Sequence, residues 1–256
     1  EEPLVDNRPV QLEKHPVREF YQRNNKVLNT LLMCILVFIL GEIIIGAVMG
    51  THGTFLSVSQ VFLTIRLAAF VALFGLCQQL VICVGGGGLD LSVGYIATLS
   101  GIVAGHLMNG SNAGILPSVL TALVIGAFFG LCNGLLTAYL NLPSLVVTMA
   151  MANIVQGIVN AYVSKVAIEG NAAPALQWLT AKFTGISPNI LIVVILVTVV
   201  MVVIFRRTSL GVRILGGGAN ENTAYLSGVN VKRVRCLAFV VSGILAALIG
   251  LLLLGY

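Results

Sequence analysis

Seven stretches of the chain are almost wholly apolar, and polar residues are concentrated between them. A helix needs about 20 apolar residues to cross the hydrocarbon core of a bilayer. Each of these stretches reaches or approaches that length. The pattern therefore predicts seven transmembrane helices, at about 28–49, 61–84, 91–109, 115–140, 143–163, 189–205 and 236–256.

The composition agrees with a membrane domain. Of the 256 residues, 58% are hydrophobic and only 9% are charged. A soluble domain of this length needs a charged surface, and this chain has too few charges to make one. We therefore expect an all-α, polytopic membrane protein with a cytoplasmic N-terminal tail at 1–27 and one transmembrane domain at 28–256.

The basic residues indicate the orientation. With the N-terminus in the cytoplasm and alternating spans, five of the 14 lysines and arginines lie in the tail and six in the segment 206–235. Basic residues favour the cytoplasmic side, so this topology is preferred. The loop at 164–188 is then external, and a short interfacial helix is expected within it at about 174–183.

The segment at 85–94, GGGGLDLSVG, interrupts the apolar pattern between the second and third spans. Glycines loosen a helix, and a carboxylate near lipid is costly unless it is paired or hydrated. We interpret the segment as a structural hinge at the cytoplasmic end of the second span. There Asp90 would reach water or cap the next helix; contact with a solute remains the alternative. The hinge residues are Gly87, Gly88, Asp90, Ser92 and Gly94.

A polar stripe follows one face of the fifth span. Asn153, Gln156 and Asn160 recur at helical spacing. They could form hydrogen bonds between helices or line a path for a solute. Gln78 in the second span and Asn133 in the fourth are further candidates for that path.

A second spacing predicts close packing of helices. Gly126, Gly130 and Gly134 fall on one face of the fourth span, so a neighbouring backbone can approach closely there.

The cytoplasmic segment 206–235 is long for a connector, so we expect it to fold or dock. Residues 220–226 can form about two helical turns, with Gly228 as the stop. The candidate docking residues are Asn220, Glu221, Ala224, Leu226, Ser227 and Gly228.

Several chemistries are disfavoured. The five cysteines lie in apolar segments without a metal-ligand spacing, and the three histidines are isolated. The four glycines are not followed by the Gly-Lys-Ser/Thr of a nucleotide-binding loop. We therefore expect no catalytic residues, metal or cofactor in this chain, and no nucleic-acid partner.

Three segments resemble a known family. Gly87–Gly94 is similar to the GG(I/L)DLSVG signature of the ribose/xylose/galactose-type permeases of bacterial ABC importers. The cytoplasmic segment is similar to the same family's R-R-T…N…S-G-(I/V)-x-V loop. Asn133–Leu136 together with Leu142–Ser144, Val147 and Thr148 is similar to its NGxLxxxxxLPxxIVT stretch. One departure is the four-glycine tract, which is richer in glycine than the usual pair.

The resemblance implies a mechanism. Two permease subunits, identical or paralogous, would form a pathway in the bacterial inner membrane. An extracytoplasmic sugar-binding protein would deliver a monosaccharide, and cytoplasmic ATPase subunits, which bind ATP and Mg²⁺, would dock at 220–226. Family members have further spans, so the chain is expected to be part of a longer protein.

Other functions stay open. The same machinery could carry nucleosides, autoinducer furanones or polyols. A proton-coupled secondary transporter using Asp90 or Glu42 is a different class. The position of Asp90 near the cytoplasmic face disfavours it, because coupling residues typically lie midway across the membrane. A membrane subunit without transport is a third class.

Overall fold

The computed structural model describes residues 16–50, 57–166, 171–180 and 188–256. All regular structure in these ranges is helical, which confirms the all-α prediction. A 3-10 turn at Asn112–Gly114 precedes α4. The α-helices are α1 Pro16–Met49, α2 Val58–Cys83, α3 Val93–Met108, α4 Ile115–Ala138, α5 Ser144–Lys165, α6 Pro174–Thr180, α7 Pro188–Arg207, α8 Ser209–Ala219, α9 Glu221–Leu226 and α10 Val231–Gly255.

Six of these helices are long and apolar enough to cross a bilayer, so the chain is a multi-pass membrane protein. They are α1, α2, α4, α5, α7 and α10. The third predicted span instead forms α3, which has 16 residues and is about 24 Å long. A hydrocarbon core is about 30 Å thick. The expected count of about seven thus becomes six long helices and one short apolar helix among the described residues.

The chain forms two compact units, residues 1–61 and 62–256. In the described part of the first unit, α1 is a continuous helix of 34 residues. The second unit is a helical bundle. Its largest apolar cluster combines buried residues of α2, α3, α4, α5, α7 and α10, including Cys77, Ile96, Val155 and Ile249.

The predicted glycine face of α4 packs against α10. A Cβ atom added to Gly130 would lie 2.5 Å from the Phe239 carbonyl oxygen, and one added to Gly134 would lie 2.8 Å from the Cys236 carbonyl oxygen. Gly126 meets the backbone of Gly243 in the same way. The two helix backbones are therefore in direct contact, as the spacing predicts.

The connections of the bundle meet at two ends. At one end, the turn after α2 touches the end of α8, where Gly85 contacts Gly218. At the other end, the amide of Gly110, after α3, donates to the Asn171 carbonyl oxygen, before α6, at 2.8 Å. The predicted topology assigns the first pair of segments to the cytoplasm and the second pair to the outside. The grouping of the connections is the one that this topology requires.

The segment 206–235 is more helical than the sequence indicated. The predicted two-turn helix is α9, but the structure adds α8, of 11 residues, directly before it. The Thr208 side chain caps α8 by accepting from the amide of Gly211 at 3.2 Å. The length of this stretch predicts that it folds or docks, but its residue pattern does not indicate α8.

Candidate functional site

The chain between α2 and α3 begins with a turn that only glycine can make. Gly85, Gly86 and Gly87 have φ angles of +81°, +70° and +68°, a region that side chains with a Cβ rarely adopt. Gly88 lies so close to the Val81 carbonyl that a Cβ atom has no space. The predicted non-helical break is therefore present, and the long glycine tract has a conformational reason.

Asp90 follows this turn and is buried. Its exposed fraction is 0%, so the prediction that it reaches water is wrong. Its Oδ1 atom accepts from the Ser92 amide at 3.0 Å and from the Ser92 hydroxyl at 2.6 Å. Ser92 is the residue immediately before α3. The Asp90 carboxylate thus binds Ser92, at the entry to α3, and not the amides of the first turn of α3.

Two other helices bind this segment. The Gln78 side chain of α2 pairs with the backbone of Asp90, since its Oε1 accepts from the Asp90 amide at 3.1 Å and its Nε2 donates to the Asp90 carbonyl. The Asn133 Nδ2 atom of α4 donates to the Ser92 hydroxyl at 2.8 Å. Gln78 and Asn133 were predicted to belong to a solute path with α5, but their hydrogen bonds hold the α2–α3 connection.

Two residues at the start of α5 complete the arrangement. The Ser144 hydroxyl donates to the Gly87 carbonyl at 2.8 Å and accepts from the Leu89 amide at 3.1 Å. The Thr148 hydroxyl donates to the Leu89 carbonyl at 3.2 Å. In the sequence, Ser144 and Thr148 belong to the stretch that resembles the family's NGxLxxxxxLPxxIVT pattern, and no separate role was predicted for them. Their spacing of four residues on one helix face was the available signal.

We call this set of side chains the Asp90 cluster, comprising Gln78, Asp90, Ser92, Asn133, Ser144 and Thr148. It satisfies backbone groups of a non-helical segment at the end of α2, which membrane proteins tolerate only where protein surrounds it. The Asp90 Oδ2 and Asn133 Oδ1 atoms are buried without a hydrogen-bond partner in the described structure. Asp90 and Asn133 are fully buried, and the hydrogen bonds of the cluster join the α2–α3 connection to α2, α4 and α5.

The stripe on α5 lies in different surroundings. Asn153 and Asn160 are exposed, and Gln156 is half-buried. The Gln156 Nε2 atom donates to Asn160 Oδ1 at 2.8 Å, and Asn153 Nδ2 donates to the Met149 carbonyl at 3.1 Å. Buried Val155 and Val159 occupy another face of α5. The three amides therefore form an open polar face on the described part of the chain.

The predicted docking helix, α9, has both ends defined by local groups and exposes two large side chains. The Asn220 Oδ1 atom caps it by accepting from the Thr223 amide at 3.0 Å. Gly228 ends it with a φ of +81°, as helix stops commonly do. Leu226 is 84% exposed and Tyr225 72% exposed, whereas Ala224 is buried. The Ser227 hydroxyl donates back to the Thr223 carbonyl at 2.9 Å.

A groove of about 590 Å³ lies beside α9. It is lined by Glu221, Asn222, Tyr225, Gly228, Val229, Asn230, Val231 and Lys232. It combines one acidic and one basic side chain with an exposed aromatic ring. The groove therefore offers a mixed polar and apolar surface beside α9.

Comparison with known proteins identifies relatives of this chain. The fructose import permease protein FrcC of Rhizobium meliloti is 30% identical over 228 residues, which are 86% of this chain and 62% of FrcC. The galactofuranose transporter permease protein YtfT of Escherichia coli is 32% identical over 187 residues, 72% of this chain and 53% of YtfT. The ribose import permease protein RbsC of Haemophilus influenzae is 27% identical over 218 residues, 84% of this chain and 67% of RbsC.

The chain spans about half to two thirds of the length of these relatives. No solved structure matches it. The family model described as the permease component of the branched-chain amino acid transport system matches residues 67–256, which is most of the chain. The resemblance to sugar-import permeases is therefore confirmed, and the chain belongs to this family of transport-system permease components.

Proposed function

We propose that this chain is part of the membrane permease subunit of an ATP-driven importer for a monosaccharide. The observation that carries the proposal is α9, a capped helix with two large exposed apolar side chains in a basic segment. Exposed apolar side chains beside a groove favour docking of another protein. In a family of transport-system permeases, the expected partner is the cytoplasmic ATPase subunit that binds ATP and Mg²⁺.

The docking proposal predicts the effect of a charge at Leu226. This side chain is 84% exposed, so Leu226→Arg leaves the bundle intact while placing a charge in the contact. We expect the variant of the full-length protein to insert normally and to lose co-purification with its ATPase. Leu116, an apolar residue that is 68% exposed at the start of α4, provides the control. Leu116→Arg should retain the ATPase, and retention by Leu226→Arg would refute docking at α9.

The open face of α5 supports a role in the solute path. Three amides exposed to hydrocarbon are unfavourable, so Asn153, Gln156 and Asn160 require water or another protein surface. A pathway shared with a second permease subunit in the inner membrane supplies both. Uncharged amides suit a neutral polyhydroxyl solute, which also includes nucleosides, furanones and polyols. Solute binding by the cognate extracytoplasmic protein would distinguish these.

Cysteine labelling tests the face directly. Asn153→Cys and Asn160→Cys should react with a membrane-impermeant thiol reagent above the level of the unsubstituted protein, because the proposal puts them beside water. Ile154 is also exposed but lies on another face of the same helix, so Ile154→Cys should react poorly. Equal labelling of residues 153 and 154 would contradict a path along this stripe.

A further inference from the structure

A buried arginine lies between the docking helix and the glycine turn. Arg235, near the start of α10, is only 9% exposed. Its Nη2 atom donates to Glu221 Oε2, in the first turn of α9, at 3.1 Å. Its Nε atom has no partner in the described part of the chain. The guanidinium therefore binds α9 through Nη2.

The guanidinium lies directly against Gly86. A Cβ atom on Gly86 would be 2.6 Å from Arg235 Nη2 and 2.7 Å from its Cζ, so a side chain there would displace the guanidinium. The neighbouring Gly85 meets the Gly218 Cα atom, at 2.9 Å from an added Cβ. The glycine turn is thus enclosed by the end of α8, which leads into α9, and by Arg235, which binds α9.

Direct hydrogen bonds connect the glycine turn to the start of α5. Gly87 accepts from Ser144 at 2.8 Å. Leu89 donates to Ser144 at 3.1 Å and accepts from Thr148 at 3.2 Å. α5 also carries the open polar face. Close-packed contacts transmit displacement because they cannot absorb it.

From these contacts we propose that Arg235 is a positioning residue that couples the position of α9 to the glycine turn and so to α5. The inference rests on the proposed function, in which α9 docks on the ATPase. Movement of α9 would reach the glycine turn through the contact between Glu221 of α9 and Arg235 of α10. Arginine is required because its flat guanidinium can lie on Gly86 while its edge binds Glu221, whereas the lysine ammonium is a compact point charge.

The first test measures coupling in the full complex. Arg235→Lys should keep ATPase association and ATP hydrolysis, because Arg235 is not one of the candidate docking residues and does not line the groove beside α9. Solute imported per ATP hydrolysed should fall roughly fivefold, the typical effect of losing one hydrogen bond. Arg233→Lys is the control, because Arg233 has an exposed side chain on the same helix. Normal coupling in Arg235→Lys would overturn the proposal.

The second test does not depend on transport. Hydrogen–deuterium exchange of the purified full-length permease should become faster in residues 85–90 in Arg235→Lys and in Glu221→Ala, which removes the acceptor, and stay unchanged in Arg233→Lys. Unchanged exchange in all three variants would overturn the link even in an active importer. If the unsubstituted complex shows no ATP-driven uptake, the proposed function fails, while the exchange result still decides whether Arg235 holds the turn.

Discussion

The crossing of α4 and α10 leaves no space for a side chain at Gly130. An alanine Cβ there would lie 2.5 Å from the Phe239 carbonyl oxygen and 2.9 Å from the Val240 Cα atom, whereas ordinary contacts begin at 3.4 Å. The nearest atoms belong to the backbone, so no rotamer change can relieve the overlap. Gly130→Ala must therefore push the two helices apart by close to 1 Å.

The magnitude follows from two opposing effects. Alanine is favoured over glycine inside a helix by about 1 kcal/mol. Forcing one extra carbon into a packed interface costs about 1–3 kcal/mol, and a backbone clash belongs at the upper end of that range. Moving the helices apart also weakens the neighbouring contact between Gly126 and Gly243. We expect a net loss of about 2 kcal/mol, which corresponds to a fall in Tm of about 4–8 °C.

The assay is thermal unfolding of the detergent-purified protein, followed by size-exclusion chromatography. Gly157 provides the matched control, because it is a helical glycine in α5 with no atom within 4 Å of an added Cβ. Gly157→Ala should leave the Tm unchanged or raise it. A Gly130→Ala variant as stable as Gly157→Ala would refute direct backbone contact between α4 and α10.

Two further predictions concern hydrogen bonds of buried and capping groups. Asp90→Asn keeps an acceptor for Ser92 and removes a buried charge, so the Tm should change little. Asp90→Ala leaves the buried Ser92 amide unpaired and should cost about 1–3 kcal/mol of stability. Equal Tm values for the two variants would contradict this reasoning. Asn220→Ala removes the cap of α9, worth about 1 kcal/mol, and should weaken ATPase co-purification while the Tm of the bundle stays constant; unchanged co-purification would argue against a role for the cap.

The sequence predicted the parts of the fold that depend on local pattern. Apolar length located the ends of the long helices to within about five residues, except that α1 begins at Pro16, well before the predicted start at about 28. The spacing of Gly126, Gly130 and Gly134 predicted the contact with α10. Asn220 and Gly228 marked the ends of the docking helix because capping and stop residues act locally. α8 was missed because its last turn contains three glycines, which disfavour a helix unless tertiary contacts hold it.

The Asp90 cluster could not be derived in the same way. Local pattern indicated a break at 85–94, but the burial of Asp90 depends on partners far along the chain, such as Asn133 and Ser144. A charged residue beside glycines is typical of an exposed turn, so the sequence pointed to water. The pairing of Arg235 with Glu221 could not be predicted for the same reason. The segment 206–235 contains six basic residues, and only the tertiary structure shows which of them is buried beside Glu221.

The most direct test of the central claim is solute uptake into proteoliposomes that contain the full-length permease. Uptake would be measured with and without its ATPase and ATP, and with the proton gradient intact or dissipated. The account predicts uptake only when the ATPase and ATP are present, and no effect of dissipating the gradient. Uptake that continues without the ATPase and stops when the proton gradient is removed would contradict it, and would instead favour a proton-coupled transporter.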